Sequence, residues 1–292
     1  MKRSDFIKTV GLVMATTPLM GLKDWHKITE NAEPTAKAPL LFIGHGNPMN
    51  ALYNNTFTQT LTKLGQTVEK PKAILVVSAH WLTNGTWVAT TAKPETIHDF
   101  GGFPQALFDV QYPAPGSPTF ATETQTLLKD KTTVQADTSW GLDHGAWTVL
   151  KHIYPNADVP VFQLSIDYSK PPQYHYDLAK YLAKLRDKGV MILGSGNIVH
   201  NLGRIDWNNP NTGYDWTIEF DEAVKKHIND GNHQPLIDYI TLTKGANLAV
   251  PTNDHYLPLL YTLALQDAKE KPSHIYEGNE MGSISMRSVL FS

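Results

Sequence analysis

The sequence contains no cysteine. That excludes disulfides, thiolate-ligated zinc and iron–sulfur clusters. Charge of one sign is also missing: the formal balance is −3 and no basic stripe runs through the chain, so nothing electrostatic points to nucleic acid. No apolar run approaches the roughly 20 residues that a membrane-spanning helix needs. Several motifs are absent as well. There is no His-Glu-x-x-His, no G-x-S-x-G elbow, no P-loop and no dinucleotide-binding glycine fingerprint, and Gly194-Ser-Gly-Asn-Ile198 is too poor a match for the last. Ser165 and Ser195 stand in no motif that would make either a nucleophile.

What is present begins with an unusual N-terminus. Lys2, Arg3 and Lys8 precede an apolar stretch from Val10 to Leu22, and a polar segment rich in Ala, Pro and Thr follows. Basic, then apolar, then polar is the order of a secretory signal. Arg3-Ser-Asp-Phe-Ile-Lys8 resembles a twin-arginine export signal with Ser4 in place of the second arginine, and Ala36-Lys37-Ala38 offers a small-x-small cleavage site just before Pro39. Residues 1–38 are therefore expected to be a signal-like segment and linker, and export to the periplasm or cell envelope is expected; the alternative is an uncleaved leader on a cytoplasmic protein.

From residue 39 to 292 no linker, repeat or low-complexity tract interrupts the chain, and hydrophobic residues make up 41% of it, enough for a substantial core. Short apolar runs alternate with helical stretches, which predicts one α/β domain with a central mixed, largely parallel sheet and helices on both faces. Strands are predicted at Leu40–Ile43, Ala73–Ser78, Trp87–Thr91, Val159–Ile166, Val190–Gly194 and Ser283–Phe291. Helices are predicted at Asn55–Leu64, Thr119–Lys129, Gly145–Ile153, Tyr174–Lys188, Asp215–Asn229 and Leu257–Leu265.

Twelve histidines are many for this length, and several sit in short motifs: Gly44-His-Gly46, Ser78-Ala-His-Trp81, Gly196-Asn-Ile-Val-His200 and Asn253-Asp-His-Tyr256. His45, His80 and His200 each follow a predicted strand, and ligands of open α/β sheets gather where strands end. Neutral imidazoles without thiolates suit a borderline divalent ion such as Fe(II) or Zn(II). Each residue also has a plain reading. His45 fits a turn packed on Pro48, His80 a hydrogen-bonded core position, and His255 a capping turn beside Asp254. His200 and His144 fit general acid or base roles or structural ones, and Asp143 either orients His144 or caps the helix after it. His98 is read as a loop residue near the mouth of the site. His26, His152, His175, His227, His233 and His274 are read as surface or packing residues.

Taken together, these segments resemble the LigB-type extradiol ring-cleaving dioxygenases, in the DOPA 4,5-dioxygenase branch. The stretches that carry the resemblance are Phe42-Ile-Gly-His-Gly-Asn-Pro-Met-Asn50, Val77-Ser-Ala-His-Trp81 and Ile97-His-Asp-Phe-Gly-Gly-Phe-Pro-Gln-Ala-Leu107. It continues through Tyr112-Pro-Ala-Pro-Gly116, Gly141-Leu-Asp-His-Gly-Ala-Trp147, Leu193-Gly-Ser-Gly-Asn-Ile-Val-His200 and Pro251-Thr-Asn-Asp-His-Tyr-Leu-Pro258.

The resemblance implies a mononuclear non-haem centre with His45, His80 and His255 as ligands, His200 as acid/base or fourth ligand, and His144 bonded to the substrate or to oxygen. It leaves Asp254 as an alternative to His255, and it puts His255 where other relatives carry Glu. Fe(II) is the expected working metal, with Zn(II) expected to occupy the site in purified protein. The implied partners are a small catechol, DOPA-like, and O₂, giving a muconic semialdehyde. Trp81, Phe100, Phe103 and Tyr256 are candidates for an aromatic substrate pocket, or equally for the core. Two rival functions use the same residues: a zinc-dependent hydrolase with His200 as general base, and a non-catalytic metal or ligand binder of the same fold.

Overall fold

Strand β1 (Leu40–Gly44) is buried along its whole length, and its side chains alternate between two apolar layers. Leu40 and Phe42 enter one layer, Leu41 and Ile43 the other. A strand apolar on both sides belongs in the middle of a covered sheet, because only there are both faces shielded from water. The computed structural model describes residues 37–292, and the basic–apolar part of the signal-like segment lies outside the described residues.

The remaining strands of the main sheet are β2 (Ala73–Ser78), β3 (Val161–Gln163), β4 (Val190–Gly196), β5 (Pro272–Tyr276) and β6 (Ser288–Phe291). Their spatial order is β3-β2-β4-β1-β6-β5. The pairings from β3 to β1 are parallel, while β6 runs antiparallel to both β1 and β5, so the sheet is mixed and mostly parallel, as expected. One face is covered by α1 (Thr56–Thr67) and α3 (His144–Ile153), which bring Phe57, Leu61, Trp147 and Leu150 against Leu41 and Ile43. The other face is covered by α2 (Pro118–Leu128), α4 (Pro172–Ala179), α5 (Asp215–Asn229) and α6 (Leu257–Leu265). Among the described residues no helix is long and apolar enough to cross a membrane.

Four predicted elements differ from the structure. The segment near Trp87 forms a strand at Thr86–Ala89, but it pairs with Val134–Asp137 in a separate two-stranded sheet. The apolar run 159–166 yields only the edge strand β3, after which Ile166–Asp167 pairs with Leu82–Thr83. The terminal run divides into Ile284–Ser285 and β6, with Met286 and Arg287 between them. Arg287 is buried and bonded to Asp221, Glu222 and Glu277, a set of partners that its place in an apolar run did not disclose. The helix predicted from 174 to 188 is three pieces: α4, a 3₁₀ turn at Lys180–Leu182, and Ala183–Asp187.

Candidate metal centre

The three adjacent strands β2, β4 and β1 end at one level, with Ser78 opposite Ser195 and Gly44 opposite Gly196. Whatever follows these strands therefore emerges side by side. His45 leaves β1 with its backbone N–H on the Gly196 carbonyl (3.0 Å), and Ala79 leaves β2 with its N–H on the Ser195 carbonyl (3.0 Å), delivering His80 beside His45. His255 comes from the loop before α6 and is tied to the same edge, because its carbonyl accepts the Asn197 N–H at 2.9 Å. Gly196 permits this approach: a Cβ there would lie 2.1 Å from the His255 oxygen. His144 is the first residue of α3, where Asp143 is the N-cap and accepts the Ala146 N–H. Asp143 thus caps the helix rather than orienting His144.

The imidazoles of His45, His80 and His255 form a near-equilateral triangle, with ring centroids 5.0, 5.3 and 5.0 Å apart. One nitrogen from each lies within 4.8 Å of the others. The outer hydrogen bonds fix which nitrogen carries the proton. The Ser195 hydroxyl donates to the Gly145 carbonyl (2.6 Å), so at 3.0 Å from His45 Nδ1 it can only accept, and His45 Nδ1 is the N–H. His255 Nδ1 donates to the Asp254 carboxylate, and His80 Nδ1 faces Asp99 Oδ2 at 3.5 Å. The Nε2 lone pairs of His45 and His255 are thereby left free, and His80 Nε2 lies beside that of His45.

That arrangement fits a metal ion. His45 Nε2 and His80 Nε2 are 3.1 Å apart, and with its outer nitrogen protonated His45 turns a lone pair into that gap. Nitrogens bound about 2.0–2.1 Å from one ion are spaced roughly 3.0–3.4 Å apart, so a cation reconciles the pair. Holding each ligand imidazole by its outer N–H is also how metal sites orient their histidines. Burial pushes the pKa values of His45 and His80 well below the usual range, and the neighbouring imidazoles push further, so both rings are in the neutral, ligating form. Burial alone would raise Asp254, but the hydrogen bond from His255 outweighs it and holds that carboxylate ionised.

Two more histidines flank the triangle. The His144 ring lies 3.8 Å from that of His80, its Nδ1 bonded to Asp99 Oδ2 at 2.9 Å. His200 lies flat on His255, with centroids 3.5 Å apart and planes 7° apart, and its ring has no hydrogen-bond partner among the described residues. Burial lowers the His200 pKa well below its usual value.

The proposed aromatic pocket residues separate. Phe100 meets His144 edge-on at 5.5 Å, and Phe103 packs behind it on Phe100 at 5.3 Å. Trp81 is buried and stacked on Trp140. Tyr256 is a core residue: it packs on Phe220 and Tyr239 and donates its hydroxyl to the Leu236 carbonyl. His98 joins the aromatic group of Phe100, Phe108 and Trp147 and bonds to the Val110 carbonyl. His152, His175, His233 and His274 bond to groups elsewhere in the fold. Two residues at the site were given no role by sequence, Ser195 and Asp99, and the only signal for either is its place in a segment that carries the resemblance.

The family model described as the catalytic LigB subunit of aromatic ring-opening dioxygenase matches residues 38–289. The chain is 48% identical to a 4,5-DOPA dioxygenase extradiol of Escherichia coli strain K12, over 87% of this chain and 95% of that protein. It is 34% identical to the 4,5-DOPA dioxygenase extradiol of Beta vulgaris, over 86% of this chain and 95% of that one. A crystal structure of an uncharacterized Escherichia coli K12 protein superposes with a TM-score of 0.77 at 44% identity, covering 88% of this chain and all of the other. With a site of this chemistry at its sheet edge, the chain belongs to the LigB family of aromatic ring-opening dioxygenases.

Proposed function

We propose that this enzyme opens the ring of a DOPA-like catechol by extradiol cleavage, at a single Fe(II) held by His45, His80 and His255. The observation that carries the reading is the cluster of three imidazoles with ligating nitrogens within 4.8 Å of one another, two of them anchored by their outer nitrogens. The relatives named for DOPA supply the substrate class. Bound there, Fe(II) would take the catechol oxygens and O₂ side by side and make the diol more acidic. The rest falls to side chains. His144, its Nδ1–H engaged by Asp99, presents a bare Nε2 that accepts from a catechol hydroxyl. His200, whose proton no neighbour fixes, takes up the hydroxyl proton and returns one as the ring opens. Phe100, edge-on to His144, borders the space for the substrate ring.

The chemistry balances without a further reductant. Both atoms of O₂ enter the product, and the bond between a hydroxyl-bearing carbon and its neighbour breaks. The catechol supplies all four electrons. Zinc suits the same donors and binds them more tightly than Fe(II), so zinc in purified protein is expected. A zinc hydrolase would consume no O₂. The test is O₂ uptake after anaerobic loading with Fe(II), with DOPA and simple catechols. Stoichiometric uptake with a yellow semialdehyde, abolished in His80→Ala, is expected; no uptake by verified Fe(II)-loaded protein across a catechol panel overturns the proposal. For residues 1–38 the reading is an export signal, overturned by a native protein whose N-terminal sequence begins at Met1.

A further inference from the structure

We propose that Asp99 is a positioning residue that sets the tautomer of His144, the imidazole on the substrate side, through a carboxylate oxygen that also stands beside His80 on the metal side. Its Oδ2 is 2.9 Å from His144 Nδ1 and 3.5 Å from His80 Nδ1, while its Oδ1 accepts the backbone N–H of His144 at 2.9 Å. Gripped at both oxygens by one residue, the carboxylate cannot turn, and Oδ2 stays between two rings whose centroids are 3.8 Å apart. Capping α3 does not account for it, because Asp143 already supplies the N-cap.

The loop that carries Asp99 is built into place. The Ile97 N–H donates to the Leu142 carbonyl (2.7 Å), the Leu142 N–H to the Glu95 carbonyl (2.7 Å), and Trp147 Nε1 to the Ile97 carbonyl (2.8 Å). Contact with Glu95 is so close that a Cβ on Gly141 would lie 2.1 Å from its oxygen. Asp99 is thus held two residues beyond a backbone clamp on the segment that leads into His144. The first turn of α3 adds its own attraction for a negative charge.

A carboxylate accepts only, so it selects the Nδ1–H form of His144. Neutral His144 then accepts at Nε2 and cannot donate there, and its substrate partner must be a hydroxyl rather than a carbonyl. This last step rests on the dioxygenase reading; the tautomer itself does not.

The experiment is long-range ¹H–¹⁵N correlation on metal-free protein labelled in histidine, with His144 assigned by its loss in His144→Gln. The parent is expected to show His144 as the Nδ1–H tautomer; an Nε2–H tautomer in the parent overturns the proposal without any variant. In Asp99→Asn, the amide oxygen keeps the backbone N–H and the amide NH₂ faces Nδ1, so His144 should switch to Nε2–H. A variant still showing Nδ1–H also overturns it. In the Fe(II)-loaded enzyme, KM for the catechol should rise roughly 10–100-fold, because a flipped His144 sets a donor against the substrate hydroxyl where an acceptor is needed. A rise fully reversed by excess Fe(II) would assign Asp99 to metal affinity alone and overturn the proposal. If no catechol is turned over even by the parent, the dioxygenase reading fails while the tautomer result still decides this one.

Discussion

On one flank of the imidazole triangle, His144 has its backbone on a helix N-terminus and its ring fastened to Asp99. On the other flank, His200 is held by its backbone, with its N–H on the Ala249 carbonyl (3.0 Å), while its ring rests face to face on His255. Both rings stand beside the same three ligand candidates. A fastened imidazole has one fixed donor and one fixed acceptor, which suits recognition of a substrate hydroxyl. An unfastened one can carry its proton on either nitrogen, which suits transfer. The two rings differ in that a carboxylate fastens His144 by a hydrogen bond and, among the described residues, none fastens His200.

The predictions test that contrast. The largest effect removes what both flanks share: His45→Ala or His80→Ala should abolish metal retention, read by metal analysis after dialysis, and with it all O₂ uptake. Next, His200→Gln should lower kcat by roughly 10²–10⁴-fold, the usual span for a lost acid/base group, with KM little changed. His144→Gln should raise KM more than His200→Gln does; matching KM and kcat changes in the two variants would break the comparison. Ser195→Ala frees the outer nitrogen of His45 and should weaken metal binding roughly 10–100-fold, measured by chelator competition, while the saturated enzyme keeps most of its kcat.

The smallest effect lies outside the triangle and sharpens the comparison by separating burial from function. His175 is fully buried against the Tyr261 hydroxyl, and burial lowers it from 6.5 to about 4. Below the ordinary value the unfolded chain takes up a proton that the folded chain refuses. Stability is therefore complete above about pH 6.5 and declines as pH falls toward 4, by on the order of 1 kcal/mol in the first unit. Thermal melts of metal-free parent and His175→Phe should differ in pH slope by that amount. An unchanged slope would move the acid sensitivity to the site histidines.

How much of this was legible in the sequence follows from where each signal lies. The strands β1, β2 and β4 are unbroken apolar runs, and α5 and α6 were bounded as observed because their apolar patterns start and stop sharply. The strand Val134–Asp137 was missed, since Gln135 and Ala136 are exposed and only backbone pairing with Thr86–Ala89 makes it a strand. The five histidines that converge were visible through their motifs. Asp99 and Ser195 were not, because what they do depends on neighbours that strand register and a clamped loop bring together: Ser195 meets His45 from 150 positions away. Asp254 was weighed as a ligand or an outer partner, and only the direction in which His255 presents Nδ1 reveals their bond.

The place of β1 in the sheet has a consequence for how the chain acquires its shape. Among the described residues β1 is the first strand, yet its two neighbours are β4, about 150 positions later, and β6, the last of them. During synthesis β1 therefore emerges, as an apolar run, long before either edge is paired. An unpaired apolar strand is a template for aggregation, and pairings this distant in sequence form slowly. Removing β6 should leave a chain that aggregates through Leu40–Ile43.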